Sequence, residues 1–324
     1  MKRLKKTFLA FFLVLLAAAF VPTEQASAHP GPPVKLALPG MGDAPAATGY
    51  WFASGNPGTG NAGNKPVVVG LHGCGGPYDA QGKLTPQWAR YAAQFHAEGI
   101  HFLVVDSFSG RGVQSLCETP QAQRTIGNED RRADVQAALL WLANQPGVDA
   151  QRLAVVGWSH GAQAVLSLLD AKASATTMKK DGSNLSPAPL AAVAFYPGCG
   201  QFARQPGGYA LQPDVALLVL IGALDDWTPA AACTQLLAKV KKASTSTSPA
   251  PFELVIYPDS YHGFDSPSAV RIRHGIATAS GMAHVGGNRA AWEASHIRLF
   301  DFLLGQFGQT AVLSHAERFA LTGR

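Results

Sequence analysis

Leu153-Ala154-Val155-Val156-Gly157-Trp158-Ser159-His160-Gly161-Ala162-Gln163-Ala164-Val165-Leu166 reads as a strand, a tight turn and a helix. The opening residues are apolar without polar alternation, as expected of a strand covered on both faces. Helical spacing takes over across 160–170. Ser159 stands on the turn with a glycine two residues to either side, so its oxygen projects above the sheet and the backbone has room for a strained bend. It also lies at a helix N-terminus, where free N–H groups and the dipole favour developing negative charge. A serine so placed is a candidate nucleophile.

The pattern repeats outward from this point. Val67–Leu71, Phe102–Asp106, Ala191–Tyr196, Val215–Gly222 and Phe252–Tyr257 read as buried strands. Helices are predicted over 85–98, from an Asn128 cap to Pro146-Gly147, over 229–242 and over roughly 290–305. Strands and helices alternating at this length imply an α/β fold, a mainly parallel central sheet with helices on both faces. Gly55–Gly63 is glycine-rich but leads into a strand rather than a helix, so it is a hairpin-like loop and not a phosphate cradle. Ser244–Pro251 is a Ser/Thr/Pro-rich loop that the alternation continues across, which favours one domain over 29–324. Residues 263–289 form a long loop insertion before the last helix, of the kind that serves as a lid or substrate wall.

A nucleophilic serine needs a base, and the base needs an orienting acid. Functional groups in such a sheet gather beyond the carboxyl ends of strands. Pro258-Asp259-Ser260-Tyr261-His262-Gly263-Phe264 follows the last strand and offers His262 as general base. Ala223-Leu224-Asp225-Asp226-Trp227-Thr228-Pro229 follows the strand before it. Asp225 is preferred as the acid. Asp226 competes, or caps the helix that Pro229 begins, and Asp259 and Asp265 are further candidates. His160, adjacent to the nucleophile, is expected to line the pocket with its side chain. Strand Val67–Leu71 runs into His72-Gly73-Cys74-Gly75-Gly76, whose glycines let backbone N–H groups approach a ligand. The N–H groups of Cys74 and His160 are the expected oxyanion hole, and the order Ser159, Asp225, His262 is that of the α/β-hydrolase fold.

Taken together, His72-Gly73-Cys74-Gly75-Gly76, Asp106-Ser107-Phe108-Ser109-Gly110-Arg111-Gly112, Gly157-Trp158-Ser159-His160-Gly161, the Asp225-Asp226-Trp227-Thr228-Pro229 run and Tyr261-His262-Gly263-Phe264 resemble the dienelactone hydrolase family of that fold. The resemblance spans most of residues 65–265 and implies ester or lactone cleavage through an acyl-enzyme. Two departures favour a general serine esterase over a dienelactone specialist. Ser159 stands where the family's type enzyme has cysteine, and Gly73 where that enzyme has glutamate after the oxyanion-loop histidine. Arg111 follows a strand end, where it either binds a substrate carboxylate or forms a structural salt bridge. Trp158 and Trp227 are placed either to wall the substrate or to pack in the core.

The chain of 324 residues is 47% apolar and 15% charged, which excludes a disordered chain, and it shows no coiled-coil or collagen period. Lys2, Arg3, Lys5 and Lys6, the apolar run Phe8–Val21 and Ala26-Ser27-Ala28 describe a cleaved signal peptide over 1–28, too short to anchor in a membrane. Four basic residues and Glu24 go with it, leaving 22 basic against 20 acidic residues, no basic stripe and no expectation of nucleic-acid binding. Export, secreted or periplasmic, makes two disulfides the natural state of Cys74, Cys117, Cys199 and Cys233. Of three pairings, Cys74–Cys117 and Cys199–Cys233 are favoured, since each would join loops leaving neighbouring strands. No metal-ligand spacing appears, and neither metal nor organic cofactor is expected. The reading is an exported serine hydrolase of small or polymeric esters. A serine peptidase, an acyltransferase and a non-catalytic binding protein on the same scaffold are the alternatives.

Overall fold

The computed structural model describes residues 30–40, 45–55, 63–173, 187–243 and 251–323. The expected signal peptide lies outside these, as do most of the Gly55–Gly63 loop and nearly all of Ser244–Pro251. Eight strands form one sheet in the order β1-β2-β4-β3-β5-β6-β7-β8. They are β1 (Val34–Ala37), β2 (Thr48–Phe52), β3 (Lys65–Leu71), β4 (His101–Asp106), β5 (Val148–Trp158), β6 (Ala191–Phe195), β7 (Ala216–Gly222) and β8 (Phe252–Tyr257). From β4 through β8 every pairing is parallel, while β2 runs antiparallel to both β1 and β4. The strand order turns about β3, which pairs with β4 on one side and β5 on the other. Such a switch point opens a crevice beyond the carboxyl ends of the strands.

The apolar runs are buried because helices cover both faces. Val67–Val69, Leu103–Val105, Leu153–Val156 and Leu217–Ile221 are all fully inaccessible, and each such side chain gains about 1.5–3 kcal/mol from leaving water. Helices α1 (Pro86–Ala97), α6 (Arg289–Phe307) and α7 (His315–Ala320) contact one another, while α2 (Asn128–Ala143) packs on α3 (His160–Leu168). Two further helices, α4 (Cys199–Ala203) and α5 (Ala230–Ala243), pack together and share the Cys199–Cys233 disulfide. Cys74 pairs with Cys117, joining the loops that leave β3 and β4. Among the described residues no helix is long and apolar enough to cross a membrane.

The structure departs from the sequence reading at three places in the fold. Gly127, not Asn128, caps α2, and its N–H donates to the Asp130 carboxylate at 2.8 Å. The lead-in yields an edge strand, β1, whose residues are mostly exposed and so carry no apolar run to betray it. Residues 263–289 are not a plain loop, since they contain an antiparallel ribbon of β9 (Arg271–His274) and β10 (Met282–Val285).

Candidate active site

At Ser159 the chain passes from β5 into α3 with φ 54° and ψ −114°, a left-handed bend rare for a residue with a side chain. The flanking glycines make it possible by close approach. A Cβ on Gly157 would stand 2.4 Å from the Gly161 carbonyl oxygen, and one on Gly161 would stand 2.1 Å from that of Leu71. The Ser159 N–H is held by the Phe195 carbonyl at 2.9 Å. The strain is over-determined by backbone packing, and the hydroxyl is fixed at the strand ends.

His262 brings its Nε2 to 3.0 Å from Ser159 Oγ and its Nδ1 to 2.9 Å from Asp225 Oδ2. The carboxylate accepts Nδ1–H, which leaves the Nε2 lone pair facing the hydroxyl. Asp225 is itself immobilised: its Oδ1 accepts the N–H groups of Trp227 and Thr228, and the Thr228 hydroxyl donates toward Oδ2 at 2.9 Å. Thr228 was not singled out from the sequence, although a side chain closing on backbone two and three residues ahead is a habit of Asp. The loop carrying His262 is pinned by the segment that follows β10. Gly286 N–H donates to the His262 carbonyl at 3.0 Å, and Asn288 N–H to that of Phe264 at 3.0 Å.

The other acids are used elsewhere. Asp226 does not cap α5, because both its oxygens hold His284 of β10, through the backbone N–H at 2.9 Å and the ring Nδ1 at 2.8 Å. Burial would raise the Asp226 carboxyl, but the His284 bonds outweigh it and leave the group below its ordinary value. Asp259 is exposed. Asp265 is buried and gathers Tyr91, Trp158 and Tyr196 at 2.9, 2.8 and 2.7 Å. Burial and then Asp265 push both tyrosines well above their usual range, so they remain neutral donors.

The loop after β3 lies against Ser159: a Cβ on Gly73 would be 3.5 Å from its Cβ. The Cys74 carbonyl accepts Leu116 N–H at 2.8 Å, and the Cys74–Cys117 disulfide ties the same two loops. His160 opens α3, where the first N–H groups have no partner within the helix. Its ring is buried behind the turn near Phe108 instead of lining the pocket, and burial, then the charges of Arg131 and Arg124, hold it well below the usual histidine range. His72 is pushed down to about 3 by burial and then by Arg131, its Nδ1–H bonded to the Gly73 carbonyl at 2.7 Å. Neither ring is charged near neutral pH.

A cleft of about 460 Å³ opens above Ser159 and His262, bounded by Cys74, Trp158, Trp227 and Asp265. Trp227 stands 4.8 Å from the His262 ring, and Trp158 both faces the cleft and stacks on Phe195. The ribbon supplies the outer wall through Arg271, Arg273 and Val285, with Arg273 lying over Trp227 at 5.4 Å. Arg111 belongs to neither cleft wall nor substrate: it forms a two-pronged salt bridge with Asp134 at 2.9 and 2.8 Å and also holds the Ser107 carbonyl. Among the described residues no group of three His, Cys, Asp or Glu side chains is placed to hold a metal ion.

The family model for the dienelactone hydrolase family matches residues 60–305. Among solved structures, a dienelactone hydrolase-like promiscuous phosphotriesterase from metagenomic libraries superposes with a TM-score of 0.57 at 18% identity, over 85% of this chain and 99% of that one. Thermogutta terrifontis esterase 2, phosphonylated by cyclosarin, gives 0.58 at 15% identity over 85% and 94%. Curated relatives include the dipeptidyl-aminopeptidase B proteins of Sclerotinia sclerotiorum, 26% identical over 64% of this chain, and Botryotinia fuckeliana, 25% identical over 64%. The chain spans 23% of the length of each.

Proposed function

The chain belongs to the dienelactone hydrolase family, and from that premise we propose that it is an exported serine hydrolase cleaving carboxylic esters or lactones through an acyl-enzyme. The observation that carries the reading is the unbroken hydrogen-bonded line from Asp225 Oδ2 through both nitrogens of His262 to Ser159 Oγ. Ser159 Oγ attacks the carbonyl carbon while its proton passes to His262 Nε2, and Asp225 steadies the imidazolium. The oxyanion is received by the N–H groups of His160 and Cys74. Nε2 then returns the proton to the departing alcohol, and a water deprotonated by the same nitrogen releases the acid. Trp158 and Trp227 offer apolar walls to the bound ester. The two disulfides are compatible with an oxidising compartment and support export.

The test is hydrolysis of p-nitrophenyl acetate and butyrate by wild type and Ser159→Ala. The variant should lose activity by roughly 10⁵ or more, and equal rates would end the proposal. A peptidase is the second reading, favoured by the match to dipeptidyl-aminopeptidase B proteins. Turnover of dipeptidyl anilides faster than of p-nitrophenyl esters would select it.

A further inference from the structure

On the far side of Trp227 lies a second cleft, of about 420 Å³. Trp227 lines both clefts, and Thr228, which holds Asp225, lines the second. Two arginines face this space. Arg124 is half-buried, its Nε donates to the Thr119 carbonyl at 3.1 Å, and burial lowers its pKa. Arg204 is exposed at the end of α4 and folds back over Gly200, where a Cβ would meet its guanidinium nitrogens at 3.0 and 3.1 Å. Among the described residues neither guanidinium forms a salt bridge, and neither Asp nor Glu contributes to the lining. The rest of the wall is rich in amides. Gln163, one turn along α3 from Ser159, accepts from Gln201 Nε2 at 3.3 Å, and Gly198 leaves the room its side chain occupies.

The first cleft is mixed in charge: Asp265 lies in its wall, the guanidinium of Arg273 is paired with Glu118 at 3.1 Å, and Arg90 and Arg271 line it as well. The second cleft presents unpaired positive charge and amide donors, with no counter-charge of its own. A half-buried guanidinium keeps much of its field, because it is less screened than a surface charge. Its fork of N–H groups matches the two oxygens of a carboxylate.

We propose that this second cleft is a subsite for a carboxylate carried by the ester substrate away from the scissile bond, bound between Arg124 and Arg204. The inference rests on the serine-hydrolase reading and names its substrate class: half esters of dicarboxylic acids, or esters of hydroxy acids, whose chain passes Trp227. Gln163 and Gln201 supply further donors to the same oxygens.

The experiment compares anionic and neutral partners of equal length. One arm uses mono-p-nitrophenyl adipate, suberate and sebacate against their methyl-capped counterparts. The other uses butyrate esters of ω-hydroxy acids against the methyl-capped forms, followed by pH-stat. The expected anionic-to-neutral ratio of kcat/KM exceeds about 10 in one arm, as a charge-assisted hydrogen-bonded contact provides. Arg204→Glu should bring that ratio below one, and 0.5 M salt should shrink it. Lys35→Glu, the same charge change on the exposed edge strand, should leave it in place. Ratios of one or less in both arms, or indifference to Arg204→Glu, overturn the subsite. Ester turnover that survives Ser159→Ala overturns the underlying reading instead, so the two failures are distinct.

Discussion

The turn that presents Ser159 and the ribbon that walls the cleft face each other across the same opening, yet they are held by different forces. At the turn, backbone lies on backbone, and there is no room for one added carbon on Gly157 or Gly161. On the ribbon, only Ala283 and Ile276 are buried, in a small cluster with Cys74 and Cys117, while Ile272 and Met282 are 46% and 40% exposed and the outer links are the Asp226–His284 and Arg273–Glu118 pairs. Packing at native density tolerates almost no displacement, whereas exposed ion pairs contribute about 1 kcal/mol or less. Ser159 is therefore placed by the main core, and the ribbon by a small satellite cluster and by surface pairs. Damage at the first end should reach rate and stability, while damage at the second should reach affinity.

The sharpest test uses the adjacent acids. Asp225→Asn should lower kcat by about 10⁴, because an amide cannot orient the imidazolium, while Asp226→Asn should change kcat less than about threefold. Comparable losses in the two would erase the distinction between reacting centre and ribbon anchor. Gly161→Ala comes next, at a cost of about 3 kcal/mol or more in urea unfolding, since the new methyl meets the Leu71 carbonyl. An unchanged unfolding midpoint would show that the turn is less tightly packed than its contacts imply.

The disulfides sharpen the comparison further. Removing either pair by double alanine substitution should cost about 2–5 kcal/mol, the loops spanning 43 and 34 residues. Only the Cys74–Cys117 variant should also lose kcat at a temperature where both remain folded, because that bridge ties down the loop carrying the Cys74 N–H, the proposed oxyanion donor. Acid discriminates as well. His72 stays neutral in the folded chain down to about 3, whereas unfolded it takes a proton near pH 6.5. Between those values the unfolded state binds more protons, so stability falls as pH falls, by about 2 kcal/mol at pH 5 for this residue. Denaturation series at pH 7 and pH 5 check it. The smallest effect is expected of His284→Ala, which should raise KM severalfold with a stability change under about 1 kcal/mol.

The Ser159 end was legible because its information is local. Strand, glycine, serine, glycine and helix are contiguous, and each residue type answers to a backbone demand within five positions. His262 was legible from its place after a strand, and the geometry puts it within hydrogen-bond reach of Ser159. Reach beyond the strand-end glycine favours Asp225 over Asp226, and what fixes the choice in the fold is what each meets, His262 for one and His284 for the other. Arg111 was ambiguous for the same reason: its partner Asp134 is on α2, 23 residues away. The ribbon was hidden by shortness and exposure, since four-residue strands facing water carry no buried apolar run. Arg124 and Arg204 gave no sign, being ordinary polar positions until the fold brings them to one cleft.

The pair of backbone bonds from Gly286 to His262 and from Asn288 to Phe264 closes the excursion at its neck. A Cβ on Gly287 would stand 1.8 Å from the Ser266 carbonyl oxygen, so that neck is as narrow as backbone allows. What lies beyond it includes the buried Asp265 and Ala283, so the part free to vary is the exposed tip of the ribbon at Ala279 and Ser280, where a change of length should leave the bonds that hold the imidazole intact. Variation at that tip and constancy of the His262 loop can thereby coexist within one stretch of some twenty residues.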